Sequence, residues 1–467
     1  MKKRFLLIVL WCEMSAAFWG SSLTEKLDAY MSQIDDRCMV AVEIQDMDSG
    51  KIVYQKNSLK LMKPASLQKI PTALVALSKL GSTYRFETSL HKKGCDLYLQ
   101  FAGDPTFRLK DLGDLFKSYR KKSGSVISGN IVVGEHTTPP FPYKDGWTVE
   151  AVRFKYGAPI SAININKNVI CLRFVPGATE KQRPTVIYDP DQPSYKIDNQ
   201  SISKICLEEE YLERCDLDLE ENLTIKGCVP LGGAAFKICL PVKDHRFKEY
   251  VRKCIQSALR EVGVELRGKI IFKVAKLDPN SVLIARHFSE PLFQILKTGM
   301  KNSDNTIMES LLLPIMLKTP HAFRKSDYLH KFMTLTLKEG LGVDMEDQLL
   351  MDGSGLSHHN LISAHKINEL LYKAYQNKSF QEAFVASLAV GGLEGTLQNH
   401  FKSLPKGIKI VGKTGTLGGV CNIAGYVFAG EKTRYIFTIM MQNFVGEDTA
   451  YIDLQEKIVL SLTHLLS

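Results

Sequence analysis

The sequence predicts an α/β (α+β) protein whose main domain is built from both chain ends around a large, mostly-β insertion. Three observations carry this. An alternating apolar hairpin and an amphipathic helix lie near the start, helical and then strand-like runs return near the end, and short β segments with clustered cysteines fill the middle. A chain of 467 residues with 45% hydrophobic and 24% charged content can bury a sizeable core and form two or three domains.

Taken in order, Met1-Lys2-Lys3-Arg4 precedes an apolar run from Phe5 to Trp11 and the small residues Ser15, Ala16 and Ala17, the layout of a secretory signal peptide over residues 1–20. The apolar run is too short to span a bilayer, which takes roughly 20 residues. No later stretch reaches that length, so an exported protein without integral membrane segments is expected, placed in the periplasm or cell envelope. The formal charge of +10 falls to +7 without Lys2, Lys3 and Arg4, and the basic residues are scattered and not interleaved with aromatics, so nucleic acid is not an expected partner.

Residues 39–54 read as a hairpin: Val40 to Ile44, a turn at Asp46 to Gly50, then Lys51 to Tyr54. From Ser66 the apolar positions Ile70, Ala73, Leu74, Leu77 and Leu80 recur at helical spacing until Gly81. Strand-like runs follow at 96–101, 125–133, 168–174 and 224–229, continuing to about Lys276. Helical patterns return over 292–316 and 364–375, ahead of strand-like runs at 407–411, 422–428 and 435–441. Six of the ten cysteines, Cys171, Cys206, Cys215, Cys228, Cys239 and Cys254, crowd into the central segment. Disulfides are expected there, with the pairing left open. Without a CxxC or HxxxH pair, no metal site is assigned.

Ser-x-x-Lys puts a hydroxyl and an amine one helical turn apart, so that the amine can take the hydroxyl proton as the oxygen attacks a carbonyl. The pattern occurs six times, at Ser66, Ser89, Ser118, Ser201, Ser363 and Ser403, and spacing alone selects none of them. Ser66 is distinguished by opening a convincing helix after Pro64-Ala65, where free N–H groups favour developing negative charge. Ser303-Asp304-Asn305 then offers a hydroxyl for proton relay and an amide for a substrate carbonyl. Lys413-Thr414-Gly415-Thr416, between strand-like runs, offers a cation, two hydroxyls and a close-approach glycine at a sheet edge. Lys297-Thr298-Gly299 and Ser128-Gly129-Asn130 imitate the later motifs, the first inside a helical pattern and the second in a turn of the insertion.

The order of the three motifs belongs to β-lactamases and penicillin-binding proteins. With Ala102-Gly-Asp-Pro-Thr106, Tyr156-Gly-Ala-Pro159, His287-Phe-Ser289, Asp352-Gly-Ser-Gly-Leu-Ser357 and Gly392-Leu-Glu-Gly-Thr-Leu397, the chain resembles the low-molecular-mass class C penicillin-binding proteins of the peptidase S13 type, which are D-alanyl-D-alanine carboxypeptidase/endopeptidases. The resemblance implies a penicillin-binding/serine β-lactamase-like transpeptidase domain over 21–87 and 284–467. It also implies an inserted domain over 88–168 and 243–283 and a nested cysteine-rich domain over 169–242.

In that family reading Ser66 is the nucleophile, Lys69 its base and Ser303 the proton relay, with Asn305, Lys413, Thr414, Gly415 and Thr416 binding substrate and no cofactor required. The expected partners are peptidoglycan stem peptides ending in D-Ala-D-Ala or carrying D-Ala cross-links, and β-lactams. A β-lactamase-like hydrolase and a non-catalytic wall-binding protein on the same fold are the alternatives. Two departures from the family pattern stand out: Pro71 in the helix after Ser66, and Glu150-Ala151 in a stretch that often carries an acidic substrate-recognition residue.

Overall fold

The structure is a computed structural model that describes residues 22–134, 142–188, 192–193, 196–205, 216–219, 222–273, 277–316, 327–463 and 466. The expected signal peptide, Cys206 and Cys215 lie outside the described residues.

Six antiparallel strands form the central sheet, in the order Ala389–Val390, Ile408–Leu417, Val420–Ala429, Lys432–Gln442, Met39–Asp46 and Ile52–Lys56. The N-terminal hairpin therefore completes a sheet begun by the last third of the chain. Helices cover both faces, so the strands are apolar almost throughout and their two sides separate by a period of two. In Lys432–Gln442, Ile436 and Met440 join the core under the main helical layer. Phe437, Ile439 and Met441 join the core beneath the helices Leu23–Met31 and Thr449–Thr463.

The main helical layer contains Lys69–Leu80, Leu292–Lys301, Asn305–Met316, Asp327–Leu341 and Ala364–Gln376. Lys69–Leu80 runs through its middle, with every residue from Lys69 to Leu77 buried. The helical pattern read over 292–316 is two helices, with Ser303 and Asp304 in the break and Asn305 opening the second helix. Ser303 sits there at φ 54°, a backbone region an L-residue adopts only where its surroundings enforce it.

The insertion has its own five-stranded sheet, ordered Ile270–Lys273, Ile131–Gly134, Asp96–Gln100, Glu87–Lys93 and Val282–Phe288. It also contains two 15-residue helices, Leu109–Ser123 and Phe247–Glu261, so it is less purely β than the sequence suggests. The expected division at 283/284 falls inside Val282–Phe288, which stays in this sheet to its end. Ile170, Leu172, Phe174, Ile225 and Val229 from the cysteine-rich segment share one apolar cluster with Leu112, Phe116, Val251 and Ile255. Of the clustered cysteines, Cys171 and Cys239 form a disulfide between directly opposed residues of Val169–Val175 and Phe236–Pro241, while Cys228 and Cys254 are buried. Among the described residues no helix is long and apolar enough to cross a membrane, and no cluster of potential metal ligands occurs.

Candidate active site

Ser66 lies in a 3-10 turn, Ala65–Gln68, that leads directly into the α-helix starting at Lys69. The tight start answers the question of Pro71: as third residue of the α-helix, it stands where an N–H has no intrahelical acceptor in any case. Ala65 takes φ 47° to make the turn, and its surroundings hold it there. The Asn422 side chain donates to the carbonyls of Lys63 and Pro64, each at 3.0 Å, and Gln68 donates to Asp352 O at 2.8 Å.

Two glycines supply the space for this turn. A Cβ on Gly355 would meet Ala65 O at 1.8 Å, and one on Gly415 would meet Pro64 O at 2.7 Å and Ser66 N at 2.9 Å. The glycine of Lys413-Thr414-Gly415-Thr416 thus sets the approach of strand to serine.

Lys69 Nζ is fully buried and contacts three oxygens: Ser66 Oγ at 2.8 Å, Asn305 Oδ1 at 2.7 Å and the Ser354 carbonyl at 2.6 Å. An ammonium donates to all three. A neutral amine has two N–H groups and one lone pair, and both the amide oxygen and the carbonyl can only accept. The lone pair is therefore left facing Ser66 Oγ, the one partner with a proton to give. Burial lowers the Lys69 pKa to about 8, against the opposing fields of Asp352, Glu309 and Asp304.

Lys413, also fully buried, donates to Ser303 Oγ at 3.0 Å and to Thr414 O at 2.7 Å. Burial first, and then the Lys69 charge, push its pKa well below the ordinary lysine value. The charge of Lys69 thus bears on Lys413, whereas Lys69 is governed by burial.

The strand carrying Lys413 to Thr416 extends to Leu417, so the motif lies within a strand and not between two. Its outer neighbour pairs only Ala389 with Gly412 and Val390 with Val411. From Lys413 onward, that edge faces the cleft in place of a further strand. Thr414 Oγ1 donates to Thr396 Oγ1 at 2.8 Å, fixing one hydroxyl, and Thr416 lines a cleft of about 510 Å³ together with Ser66, Ser303 and Asn305.

All eight residues singled out from the sequence gather here: Ser66 and Asn305 on Lys69, Ser303 on Lys413, and Thr414, Gly415 and Thr416 along the strand that carries Lys413. The other Ser-x-x-Lys copies are dispersed; Ser363, for instance, is a helix N-cap accepting from Lys366 N. Lys297-Thr298-Gly299 is inside the helix Leu292–Lys301, as expected.

The structure adds residues whose contribution the sequence did not reveal. Tyr156 O accepts from Asn305 Nδ2 at 3.0 Å, so the insertion fixes the orientation of that amide. Asp352 organises the loop behind Lys69, accepting from Gly355 N at 2.8 Å, Ser357 N at 2.7 Å, Asn360 Nδ2 at 2.8 Å and Trp147 Nε1 at 2.9 Å. Glu309, fully buried behind the same loop, accepts from Gly353 N at 2.8 Å, and its pKa is raised to about 7 by burial and then by Asp352. Glu150 and His358 line the cleft on the insertion and loop sides.

The model of the D-Ala-D-Ala carboxypeptidase 3 (S13) family matches residues 23–465. The chain belongs to this family. Among S13 relatives, it is 27% identical over 436 residues to D-alanyl-D-alanine carboxypeptidase DacB of Haemophilus influenzae, covering 89% of this chain and 87% of that one. It is 26% identical over 463 residues to the D-alanyl-D-alanine carboxypeptidase of an Actinomadura species, covering 91% and 82%. In three dimensions the chain is similar to the crystal structure of penicillin-binding protein 4 from H. influenzae, with a TM-score of 0.76 at 22% identity over 93% of this chain and 99% of that one.

Proposed function

We propose that this protein is a serine D-alanyl-D-alanine peptidase of the bacterial cell envelope that cleaves peptidoglycan stem peptides through an acyl-enzyme on Ser66. The contact of Lys69 Nζ with Ser66 Oγ, together with two partners that can only accept, carries the reading.

An extended peptide laid along the open edge at Lys413 to Thr416 gains main-chain hydrogen bonds from the strand, and its terminal carboxylate meets Lys413, Thr414 and Thr416. Asn305, oriented by Tyr156 O, holds the peptide from the opposite side. Ser66 Oγ attacks the carbonyl carbon of the penultimate D-alanine and passes its proton to neutral Lys69. The backbone N–H groups of Ser66 and Thr416 stabilise the oxyanion.

The C–N bond then breaks as the proton reaches the leaving nitrogen through Ser303, which Lys413 holds. D-alanine leaves, or the amino-bearing side of a cross-link, and water hydrolyses the acyl-enzyme. A β-lactam places its amide carbonyl in the same position and acylates the same oxygen.

Fluorescent penicillin tests the assignment: the protein should be labelled covalently, with the adduct on the peptide containing Ser66, and Ser66→Ala should abolish labelling. Labelling that survives in Ser66→Ala removes the nucleophile. Release of D-alanine from a pentapeptide, and cleavage of a cross-linked dimer, measure the two peptidase activities directly. Rapid turnover of the penicilloyl adduct would instead indicate a β-lactamase.

A further inference from the structure

We propose that Lys167, supplied by the insertion, is a positioning residue for acylation: by pairing with Asp304 it fixes the Ser303-Asp304-Asn305 loop and shields the Lys69 amine from the Asp304 charge. This rests on the mechanism proposed above.

Lys167 Nζ forms an ion pair with Asp304 Oδ2, the middle residue of the triplet whose flanking residues contact Lys413 and Lys69. The backbone that presents it is unusual. Asn166, Lys167 and Asn168 all have positive φ, at 52°, 58° and 55°. Asparagine tolerates that region, whereas lysine is rare there and must be held by its neighbours.

The holding contacts are present. Asn166 Oδ1 accepts from Leu109 N at 3.2 Å, and Asn168 Nδ2 donates to the Pro159 and Ile163 carbonyls at 3.2 and 3.3 Å. The turn is anchored on both sides of Lys167, and the lysine projects to the catalytic loop. There, Asp304 Oδ1 accepts from Ile307 N at 3.0 Å, capping the helix behind the loop, and its Oδ2 takes the lysine.

The charges around Lys69 make the pairing consequential. Asp352, Glu309 and Asp304 face it and favour its protonated form, while Lys413 beside it is itself pushed toward its neutral form by burial and by Lys69. Asp352 is satisfied by four N–H donors from the loop and Trp147. Arg108, Lys155 and Lys237 line the same cavity of about 750 Å³ as Asp304, yet among the described residues Asp304 pairs with Lys167. Without that cation the Asp304 charge acts on Lys69 uncompensated, keeping the base protonated to higher pH.

The test is the pH dependence of the acylation rate with fluorescent penicillin, measured on the full-length protein as wild type, Lys167→Met, Lys167→Arg, Asp304→Asn and the Lys167→Met/Asp304→Asn double variant. The acid-side midpoint should rise by roughly half a pH unit or more in Lys167→Met, a shift typical of losing a screening charge. Lys167→Arg should restore it. Asp304→Asn should lower the midpoint, with Lys167→Met adding little in that background. Lys167→Gln serves as the second neutral variant if Met disturbs folding, which thermal melting checks.

A loss of rate without a midpoint shift, or an equal shift in the Asp304→Asn background, would overturn the positioning role. Absence of any Ser66 adduct in the wild type would overturn the proposed function itself, which separates the two failures.

Discussion

The half of the molecule made from the chain ends and the half made by the insertion bury different chemistry. Around the cleft, Lys69, Lys413, Glu309 and Asp352 are all withdrawn from water, an arrangement that stabilises a fold poorly because desolvation offsets most of the Coulomb attraction. Within residues 88–283, Asp104 is the one buried charged side chain among the described residues, and the rest of that interior is uncharged, mostly Leu, Ile, Val and Phe with Tyr119, Tyr250 and a few Ser and Asn side chains. The insertion meets the cleft at its rim, where Trp147 donates to Asp352, the Tyr156 carbonyl accepts from Asn305, Lys167 pairs with Asp304 and Glu150 lines the cavity. On the proposed mechanism the terminal half accepts buried charge because Lys69 must be poised to exchange a proton with Ser66.

Replacing the base should break this comparison most sharply. Lys69→Met should lower the acylation rate about 10²- to 10⁴-fold, the usual worth of a positioned general base, while the melting temperature stays near that of the wild type or rises. A coincident collapse of stability would show that Lys69 is structural. In the wild type, the acylation rate should climb with pH through a midpoint near 8, where buried Lys69 loses its proton.

The mirror-image change is Phe116→Ala in the insertion, which empties a fully buried aromatic site and should cost about 3–5 kcal/mol in chemical denaturation. Its acylation midpoint should not move. A moved midpoint would mean that the insertion's core, and not only its rim, is coupled to the cleft.

Glu309 sharpens the comparison through pH. Its carboxyl is raised from 4.5 to about 7 in the folded protein, so between those values the folded chain holds a proton that the unfolded chain has released. Stability therefore falls as pH rises across that window, by up to about 3 kcal/mol, with the full loss reached above it. Glu309→Gln should flatten that part of the stability profile, and a profile identical to wild type would contradict the assignment. The smallest change is Trp147→Phe, which removes one of several donors to Asp352 and should destabilise by about 1.5–3 kcal/mol with a modest change in acylation rate.

Much of the site was legible because its side chains form recognisable triplets in a fixed order. The Ser66 to Lys69 spacing was the weakest part of that signal, and the helix it opens supplied the discrimination. What remained hidden is mostly backbone. The carbonyls of Tyr156 and Ser354 orient Asn305 and Lys69, yet a carbonyl has no residue-type signature.

The break at Ser303 was hidden for a related reason. Leu292, Ile295, Leu296, Ile307, Leu311 and Leu312 all face one core, so apolar periodicity runs across a loop that the chain in fact makes. In the insertion, Leu109, Leu112, Leu115, Phe116 and Tyr119 have helical spacing, but Gly113 and many charged residues dilute it among neighbouring strands. Lys167 gave no signal, since its importance comes from a left-handed turn and a partner far along the chain.

The hairpin near the start and the strands near the end share one sheet, which has a consequence for the order of assembly. Lys63 N donates to Gln442 Oε1 across a sequence separation of 379, at the threshold of the turn that holds Ser66. Contacts that distant form slowly, since closing so large a loop is unfavourable until many interactions reward it together. During synthesis Ser66 emerges early, while the strand bearing Lys413 and the sheet position beside Met39–Asp46 arrive only near completion. A chain stopped before that point holds Ser66 and Lys69 but no strand edge beside them, so on the proposed mechanism acylation becomes possible only as the chain closes on itself.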